Sequence, residues 1–297
     1  MIRVGVLLIP ADPWEETVAR VRDVEAAGFH HLWVYDHVTW RRYRQRPWFS
    51  MIPWLTGLAA ATTSIRLGPL VANPNIRHPL LLAKEAITLD HISNGRLTLG
   101  IGAGGIGSDA TVLGIPKLVP SQRVDRMAEF VELLDGLLTQ SIRSYAGNYY
   151  AVDDARVEPA CLQKPRIPLA VAAGGTRSIG VAARFGDAWV TWGDTTLQHL
   201  TASGTERVVR RQLETLALEC LESHRQLEEL DRIFLIGNTE ARPLTSIDSF
   251  VDFAGRYANL GFTDLVFHHP RTDDKVWNEN PAIVDHIASV LPELARL

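Results

Sequence analysis

The sequence has only two cysteines in 297 residues, Cys161 and Cys220, and no C-x-x-C pair. This scarcity argues against a disulfide framework and against a structural zinc site. It is typical of proteins from a reducing compartment, so we expect a cytoplasmic protein.

Long apolar runs and an excess of basic residues are also missing. The opening segment MIRVGVLLIP is too short to cross a bilayer and has no small-residue cleavage signal. A formal net charge of -4 gives no broad basic field for nucleic acid. We therefore expect a small-molecule substrate, with neither a membrane nor a nucleic acid as partner.

Several familiar catalytic motifs do not occur. The chain has no G-x-S-x-G elbow and no H-E-x-x-H spacing, and none of its four lysines is placed for a Schiff base at a strand end. The doublets His30-His31 and His268-His269 would point to opposite faces of a strand, so neither is expected to chelate a metal. These absences disfavour hydrolase, aldolase and metalloenzyme chemistry.

Short Val/Ile/Leu-rich runs alternate with helical patterns along the whole chain, and no linker interrupts them. The pattern predicts strands at 4–9, 31–36, 65–72, 96–102, 168–173, 187–192, 232–237 and 263–269. It predicts helices at 14–27, 51–62, 79–92, 121–138, 176–185, 204–224, 246–260 and 280–295. Eight strands that are each followed by a helix favour an α/β fold, a single (β/α)8 TIM barrel spanning residues 1–297.

Two segments are longer than a simple repeat needs. Residues 38–50 are rich in arginines and aromatics, and residues 103–167 form a long insertion after strand 4 that contains a hairpin pattern, YAGNYYAV. Both follow strands at the C-terminal rim, where barrel enzymes carry their active sites.

Polar residues follow the second and third strands. Asp36 and His37 are candidates for proton transfer; alternatively, Asp36 only orients His37 or caps a loop. Asn73 has the donor and the acceptor needed to bind the edge of a planar ring, or it simply forms an Asn-Pro turn.

Glycines mark two further strand ends. GIGAGG formally contains G-x-G-x-x-G, but no long helix follows, so close approach of the backbone to a flat ligand is favoured over a dinucleotide fingerprint. Gly174, Gly175 and Thr176 lead from the fifth strand into a helix, whose N-terminal N–H groups would form an anion cradle. The alternative is an ordinary turn.

Several segments together resemble the bacterial luciferase-like monooxygenase superfamily, especially its coenzyme F420-dependent branch. The matching segments are AAGFHHLWVYDH, AAATTSIRLGPLVANPNIRHPLLLAKEAITLDHISNGRLTLGIGAG, QRVDRMAEFVELLDGLL, GNYYAVDDARVEPACLQKPRIPLAVAAGG and AARFGDAW. The resemblance implies a TIM barrel with a flavin or deazaflavin across its C-terminal mouth.

The resemblance also implies roles for individual residues. Gly174, Gly175 and Thr176 would hold the cofactor phosphate, and Arg123 would reach the same phosphate or brace the loop. A cis peptide between Leu70 and Val71 would press against the central ring, with His37 near the reactive edge. The remaining ring contacts would come from Asp36, Asn73, Gly102, Ala103 and Gly104.

The sequence departs from the family pattern at Gly105 and Ile106, where several relatives carry an acid or a tryptophan. A proton donor from that position is missing, which leaves His37 or the substrate to supply the proton. The departure also keeps open a non-catalytic flavin-binding protein.

We expect an oxidoreductase that transfers a hydride between F420 and a small organic substrate. The alternative is an FMN-dependent monooxygenase fed by a flavin reductase. The substrate would lie among Trp40, Trp192 and His268, although Trp40, Trp48 and Trp54 alternatively belong to a subunit interface. The resemblance implies a homodimer formed through the helices after strands two and three.

Overall fold

A computed structural model describes residues 1–40, 43–193, 201–237 and 240–297. Its strands are β1 (Arg3–Leu8), β2 (His31–Val34), β3 (Arg66–Pro69), β4 (Leu99–Ile101), β5 (Ile142–Ala146), β6 (Ala151–Arg156), β7 (Leu169–Ala172), β8 (Ala188–Thr191), β9 (Asp231–Leu235) and β10 (Asp264–His268). Its α-helices are α1 (Trp14–Ala26), α2 (Met51–Ala61), α3 (Pro79–Ile92), α4 (Pro120–Thr139), α5 (Thr176–Phe185), α6 (Ala202–Glu222), α7 (Ile247–Leu260) and α8 (Ile283–Leu294).

Eight strands form one parallel sheet in the order β3-β2-β1-β10-β9-β8-β7-β4. Parallel bridges from Leu67 to Leu97 and from Ala72 to Ile101 join the two outer strands and close the ring. The predicted barrel is therefore confirmed. Each of the eight predicted runs overlaps one barrel strand, and β3 and β4 are shorter than predicted because they meet only through these bridges.

The chain between β4 and β7 holds α4 and an antiparallel pair, β5 and β6, outside the barrel sheet. This pair is the hairpin that YAGNYYAV predicts. None of the helices within the described residues has the length and apolar character that crossing a bilayer requires.

The barrel interior is a separate apolar core, closed at the C-terminal mouth by aromatic side chains. Trp40, Tyr43 and Trp277 pack on the interior core, while Trp54 packs in the outer core between strands and helices. Trp40 is 7 % exposed and Trp54 is 5 % exposed. Both are therefore buried within one chain, which contradicts the subunit-interface alternative for these two residues, whereas Trp48 is half-buried.

A polar cluster fills the N-terminal end of the barrel. His31 Nε2 lies 3.0 Å from Asp264 Oδ1, and Trp33 donates to His31 Nδ1 at 2.6 Å. His30 precedes β2 instead of lying in it, so the prediction that the doublet points to opposite faces is wrong, and ligand atoms of His30, His31 and Asp264 lie within 4.8 Å of one another. Both His31 nitrogens are already hydrogen-bonded, which makes this cluster structural.

Asp264 is the centre of that cluster. Burial alone would raise the pKa of Asp264, but the hydrogen bonds and charges of His31 and Arg3 outweigh it and lower the pKa to about 2. The ion pair therefore stabilises the fold above the ordinary aspartate pKa, and this contribution is lost as the pH falls toward 2.

We predict opposite effects for two glycine substitutions. A Cβ on Gly5 would lie 1.8 Å from His31 Nδ1, whereas a Cβ on Gly255 in α7 would meet nothing within 4 Å. Gly5→Ala should lower the free energy of unfolding by about 1–3 kcal/mol through overpacking. Gly255→Ala should raise it by up to about 1 kcal/mol through helix propensity.

Urea unfolding of the two variants and the wild type checks this prediction. A Gly5→Ala variant as stable as the wild type would contradict the packing of His31 against β1.

Candidate active site

Asp36 ties together the ends of β2 and β3. Its carboxylate is 1 % exposed and accepts hydrogen bonds from Arg77 Nη2 at 2.8 Å, Arg77 Nε at 3.0 Å and the Asn73 backbone N–H at 3.0 Å. Burial alone would lower the pKa of Arg77, but the hydrogen bond and charge of Asp36 raise it above its ordinary value. Asp36 is therefore engaged by the protein on both oxygens.

Asn73 extends this network toward the loop after β4. Its Nδ2 donates to Asp109 Oδ2 at 3.0 Å, and its Oδ1 accepts from the Asn75 backbone N–H at 3.1 Å. The side chain is 3 % exposed. The Asn73 amide, which was predicted to contact a ring, therefore stabilises the turn, as the alternative interpretation of an Asn-Pro turn states.

His37 pairs with a residue that sequence analysis missed. Its Nδ1 lies 2.5 Å from Asp109 Oδ2, and Asp109 Oδ1 accepts from the Val38 backbone N–H at 3.0 Å. Because a carboxylate only accepts, Nδ1 carries the proton and Nε2 of the neutral ring becomes the acceptor. Asp109 lies in a short 3-10 turn, Ser108–Ala110, four residues beyond Gly105. The sequence feature that could have identified Asp109 is its closeness to Gly105, the position where several relatives carry an acid.

Aromatic rings connect His37 with the end of β10. His37 stacks on Trp40 at 6.0 Å between ring centroids, Trp40 stacks on Trp277 at 5.6 Å, and Trp277 stacks on His268 at 3.6 Å. His268 is 2 % exposed, and its Nε2 lies 2.6 Å from the Tyr35 hydroxyl. We call these four stacked rings the aromatic wall.

Trp192, the third predicted substrate residue, lies just beyond β8. It is 39 % exposed, unlike Trp40 and His268. The structure therefore brings two of the three predicted substrate residues together in the aromatic wall.

The glycine-rich end of β4 packs closely on the end of β3. The Leu70-Val71 peptide bond is cis, as the resemblance implies. A Cβ on Gly102 would lie 2.6 Å from Val71 Cγ2, and Gly104 has a φ of +77° that other residues rarely adopt. The loop therefore packs closely on the end of β3, and its predicted approach to a flat ligand stays a prediction.

Two arginines of α4 hold this loop without a carboxylate partner among the described residues. Arg123 Nη1 donates to the Gly104 carbonyl at 2.7 Å, and Arg126 Nη2 donates to Asn75 Oδ1 at 2.6 Å and to the Ala103 carbonyl at 3.3 Å. The Nε atoms of both are buried and have no hydrogen-bond partner in the described part of the chain. Arg126 is 8 % exposed, and burial lowers its pKa. A buried guanidinium without a counterion indicates an anion site.

Arg123 was predicted from the sequence, but Arg126 was not. Arg126 lies three residues after Arg123, and residues three apart on a helix share a face, so the spacing could have identified it. Arg123 does brace the loop, as one of its two predicted roles requires.

The N-terminus of α5 lies beside this pair of arginines. Gly175 is the N-cap, its N–H donates to Ser178 Oγ at 3.2 Å, and the Gly174 carbonyl accepts from Gln212 Nε2 at 3.1 Å. Thr176 is exposed at the first helical position. Arg177 forms an ion pair with Asp125, which joins the start of α5 to the α4 turn that carries the two arginines.

Solved structures define the class of fold. The chain superposes on the coenzyme F420-dependent tetrahydromethanopterin reductase from Methanopyrus kandleri with a TM-score of 0.78, at 18 % identity over 99 % of both chains. It superposes on the monooxygenase RslO1 from Streptomyces bottropensis with a TM-score of 0.77, also at 18 % identity over 99 % of both chains. The protein is thus a TIM barrel of the kind found in these redox enzymes.

Sequence comparison then gives the family. The model described as luciferase-like monooxygenase matches residues 2–212, so the chain belongs to this family. It is also 29 % identical to an F420-dependent glucose-6-phosphate dehydrogenase from Beutenbergia cavernae, over 91 % of this chain and 90 % of that protein.

We predict that Asp109→Ala changes the tautomer of His37. Without the carboxylate, the proton on Nδ1 should shift in part to Nε2, and the Asn73 and Val38 N–H groups should lose an acceptor at a cost of about 1–3 kcal/mol. The ¹⁵N chemical shifts of the His37 ring and urea unfolding measure the two effects.

Ser108→Ala is the control, because Ser108 lies in the same turn and contacts Thr39 but not His37. An unchanged His37 tautomer in Asp109→Ala would show that this carboxylate does not position the ring.

Proposed function

We propose that the protein is an oxidoreductase that transfers a hydride between coenzyme F420 and a small organic substrate. The F420-dependent relatives support the coenzyme, and the arginine pair of α4 supports its anionic tail. The single observation that carries the proposal is Arg126, a buried guanidinium without a carboxylate partner among the described residues.

The proposed tail site has three sources of positive potential. Arg123 and Arg126 approach from α4, and the N-terminal dipole of α5 approaches from Gly174, Gly175 and Thr176. The exposed Thr176 hydroxyl adds a neutral donor. Charge-assisted hydrogen bonds of this kind are the strong ones for phosphate.

The ring would lie on the surface formed by Leu70, Val71 and the loop from Gly102 through Ala103 to Gly104. A Cβ on Gly102 would clash with Val71, so the loop can pack this closely on the end of β3 only because this residue is glycine. When bound, F420 supplies two-electron hydride chemistry. Asn73 and Asp36 act beneath this surface as positioning residues.

The chain itself handles the proton. His37 Nε2 accepts a substrate proton during oxidation and returns it during reduction, and Asp109 stabilises the charged ring. Asp36 holds the strand ends in place, so its proposed role changes from catalysis to positioning. Asp109 supplies a carboxylate to the loop in which Gly105 replaces an acid. The absence of an acid at Gly105 therefore no longer favours a non-catalytic flavin-binding protein.

The other rings of the aromatic wall limit the access of water to His37. Trp40, Trp192 and His268 remain the proposed substrate neighbours. We also propose a homodimer through α2 and α3. Leu81 on α3 is 65 % exposed and Ile92 is 45 % exposed, so this helix has apolar side chains for a partner.

Side-by-side titration of the protein with F420 and with FMN, followed by fluorescence, tests the proposal. F420 should bind at micromolar or lower concentration and FMN much more weakly. Tighter binding of FMN would instead support a monooxygenase that depends on a flavin reductase.

Within this test, Thr176→Val should raise the F420 dissociation constant about 10-fold to 100-fold, because a hydrogen bond to a charged group is worth about 1.5–3 kcal/mol. Thr88→Val is the matched control, because Thr88 lies in α3 and its hydroxyl donates to the Lys84 carbonyl. Equal F420 affinity of Thr176→Val and Thr88→Val would remove the tail site from α5.

A further inference from the structure

A narrow cleft with an internal volume of about 20 Å³, open to solvent, lies at the barrel mouth beyond the ends of β9 and β10. Its apolar sides are Ile236, Leu244 and Val276, and His268 and Trp277 of the aromatic wall also line it. A space of this size admits one water-sized group, such as a hydroxyl or an amine at the end of a larger molecule.

Glu279 is the carboxylate of the cleft. Its side chain is 8 % exposed, and Oε1 accepts from Arg242 Nη2 at 3.0 Å. Its Oε2 is buried and has no hydrogen-bond partner among the described residues. A buried carboxylate oxygen in this state has an unmet need for a donor, because desolvation without a hydrogen bond is costly.

The arginines near the cleft each contact a carboxylate within the described residues, although Arg20 and Arg271 share Asp12. Arg242 pairs with Glu279, Arg271 pairs with Asp12 at 2.6 Å, and Arg46 pairs with Asp273. Arg41 and Arg42 lie outside the described residues. The cleft therefore contrasts with the α4 side of the mouth, where Arg123 and Arg126 have no carboxylate partner within the ranges that the structure describes.

From this contrast we infer that the cleft binds the hydrogen-bond-donating end of an unphosphorylated substrate, a hydroxyl or amino group on an apolar body, with Glu279 Oε2 as the acceptor. A phosphate ester would meet a like charge and no unpaired guanidinium of the described residues. The inference rests on the proposed function for the identity of the cleft as a substrate site. It gives the substrate class, and it separates this chain from a relative named for a sugar phosphate.

The aromatic wall connects this subsite with the proton-transfer group. Trp277 forms one side of the cleft and stacks on Trp40, which in turn stacks on His37. A substrate anchored at Glu279 would extend along this wall toward the reactive centre.

Saturation-transfer NMR on the protein without any coenzyme tests the inference, with four probes of one shape: cyclohexanol, cyclohexylamine, methoxycyclohexane and cyclohexyl phosphate. The alcohol and the amine should give signals at least fivefold stronger than the ether, and the phosphate should give none. Because no coenzyme is present, the result is independent of whether F420 or FMN binds.

Glu279→Gln should abolish the preference for the amine over the ether. It should also release Arg242, so that cyclohexyl phosphate gains a signal that the wild type lacks. Glu85→Gln is the matched control, because Glu85 also has an unpartnered Oε2 and an arginine neighbour, Arg77 at 3.6 Å, but does not line the cleft.

Three results would overturn the inference. They are equal signals for the ether and the alcohol in the wild type, phosphate binding to the wild type, and no signal from any of the four probes. A Glu279→Gln variant with the probe preferences of the wild type would equally remove Glu279 from the subsite.

Discussion

The buried ion pair between Asp36 and Arg77 is the interaction on which the rest of the site depends. Asp36 is 1 % exposed and also accepts the backbone N–H of Asn73, so it fixes the end of β2 against the chain that leaves β3. Asn73 then holds Asp109, and Asp109 holds His37. Removing either partner of this ion pair would leave an uncompensated buried charge. The contacts that run from Asp36 through Asn73 and Asp109 to His37 therefore stabilise one another.

Charge divides the barrel mouth into two sides. On the side of α4 and α5, Arg126 and Arg123 lack a carboxylate partner among the described residues and lie beside a helix N-terminus. On the side of β9 and β10, arginines are paired with carboxylates, and Glu279 keeps one oxygen without a partner. This division suits an anionic coenzyme tail on one side and a hydrogen-bond-donating substrate on the other.

Local patterns explain what the sequence could predict. Continuous apolar runs predict buried parallel strands, and the structure has them. The runs can be recognised because their residues are near one another in the chain, whereas the approach of the glycines at 102 and 104 to a flat ligand stays a prediction. The cis bond at Leu70-Val71 was expected from the resemblance to a family, because no local feature of the sequence indicates it.

Partnerships between distant segments explain what the sequence could not predict. Asp109 lies 72 residues from His37, and its closeness to Gly105 marks it as a candidate acid without indicating that pairing. Asn73 has the chemistry to bind a ring, but the fold supplies Asp109 and Asn75 as its partners. Arg126 shares a helix face with Arg123, but only the structure shows that its guanidinium lacks a carboxylate and that a Glu279 oxygen lacks a donor among the described residues.

A crystal structure of the protein with F420 would test the central claim most directly, because it locates both ends of the coenzyme. We expect a phosphate oxygen of the coenzyme tail within hydrogen-bond distance of Thr176 and of Arg123 or Arg126. We expect the coenzyme ring to lie against Leu70 and Val71. A coenzyme tail on the Glu279 side of the mouth, or a ring away from β3, would contradict it.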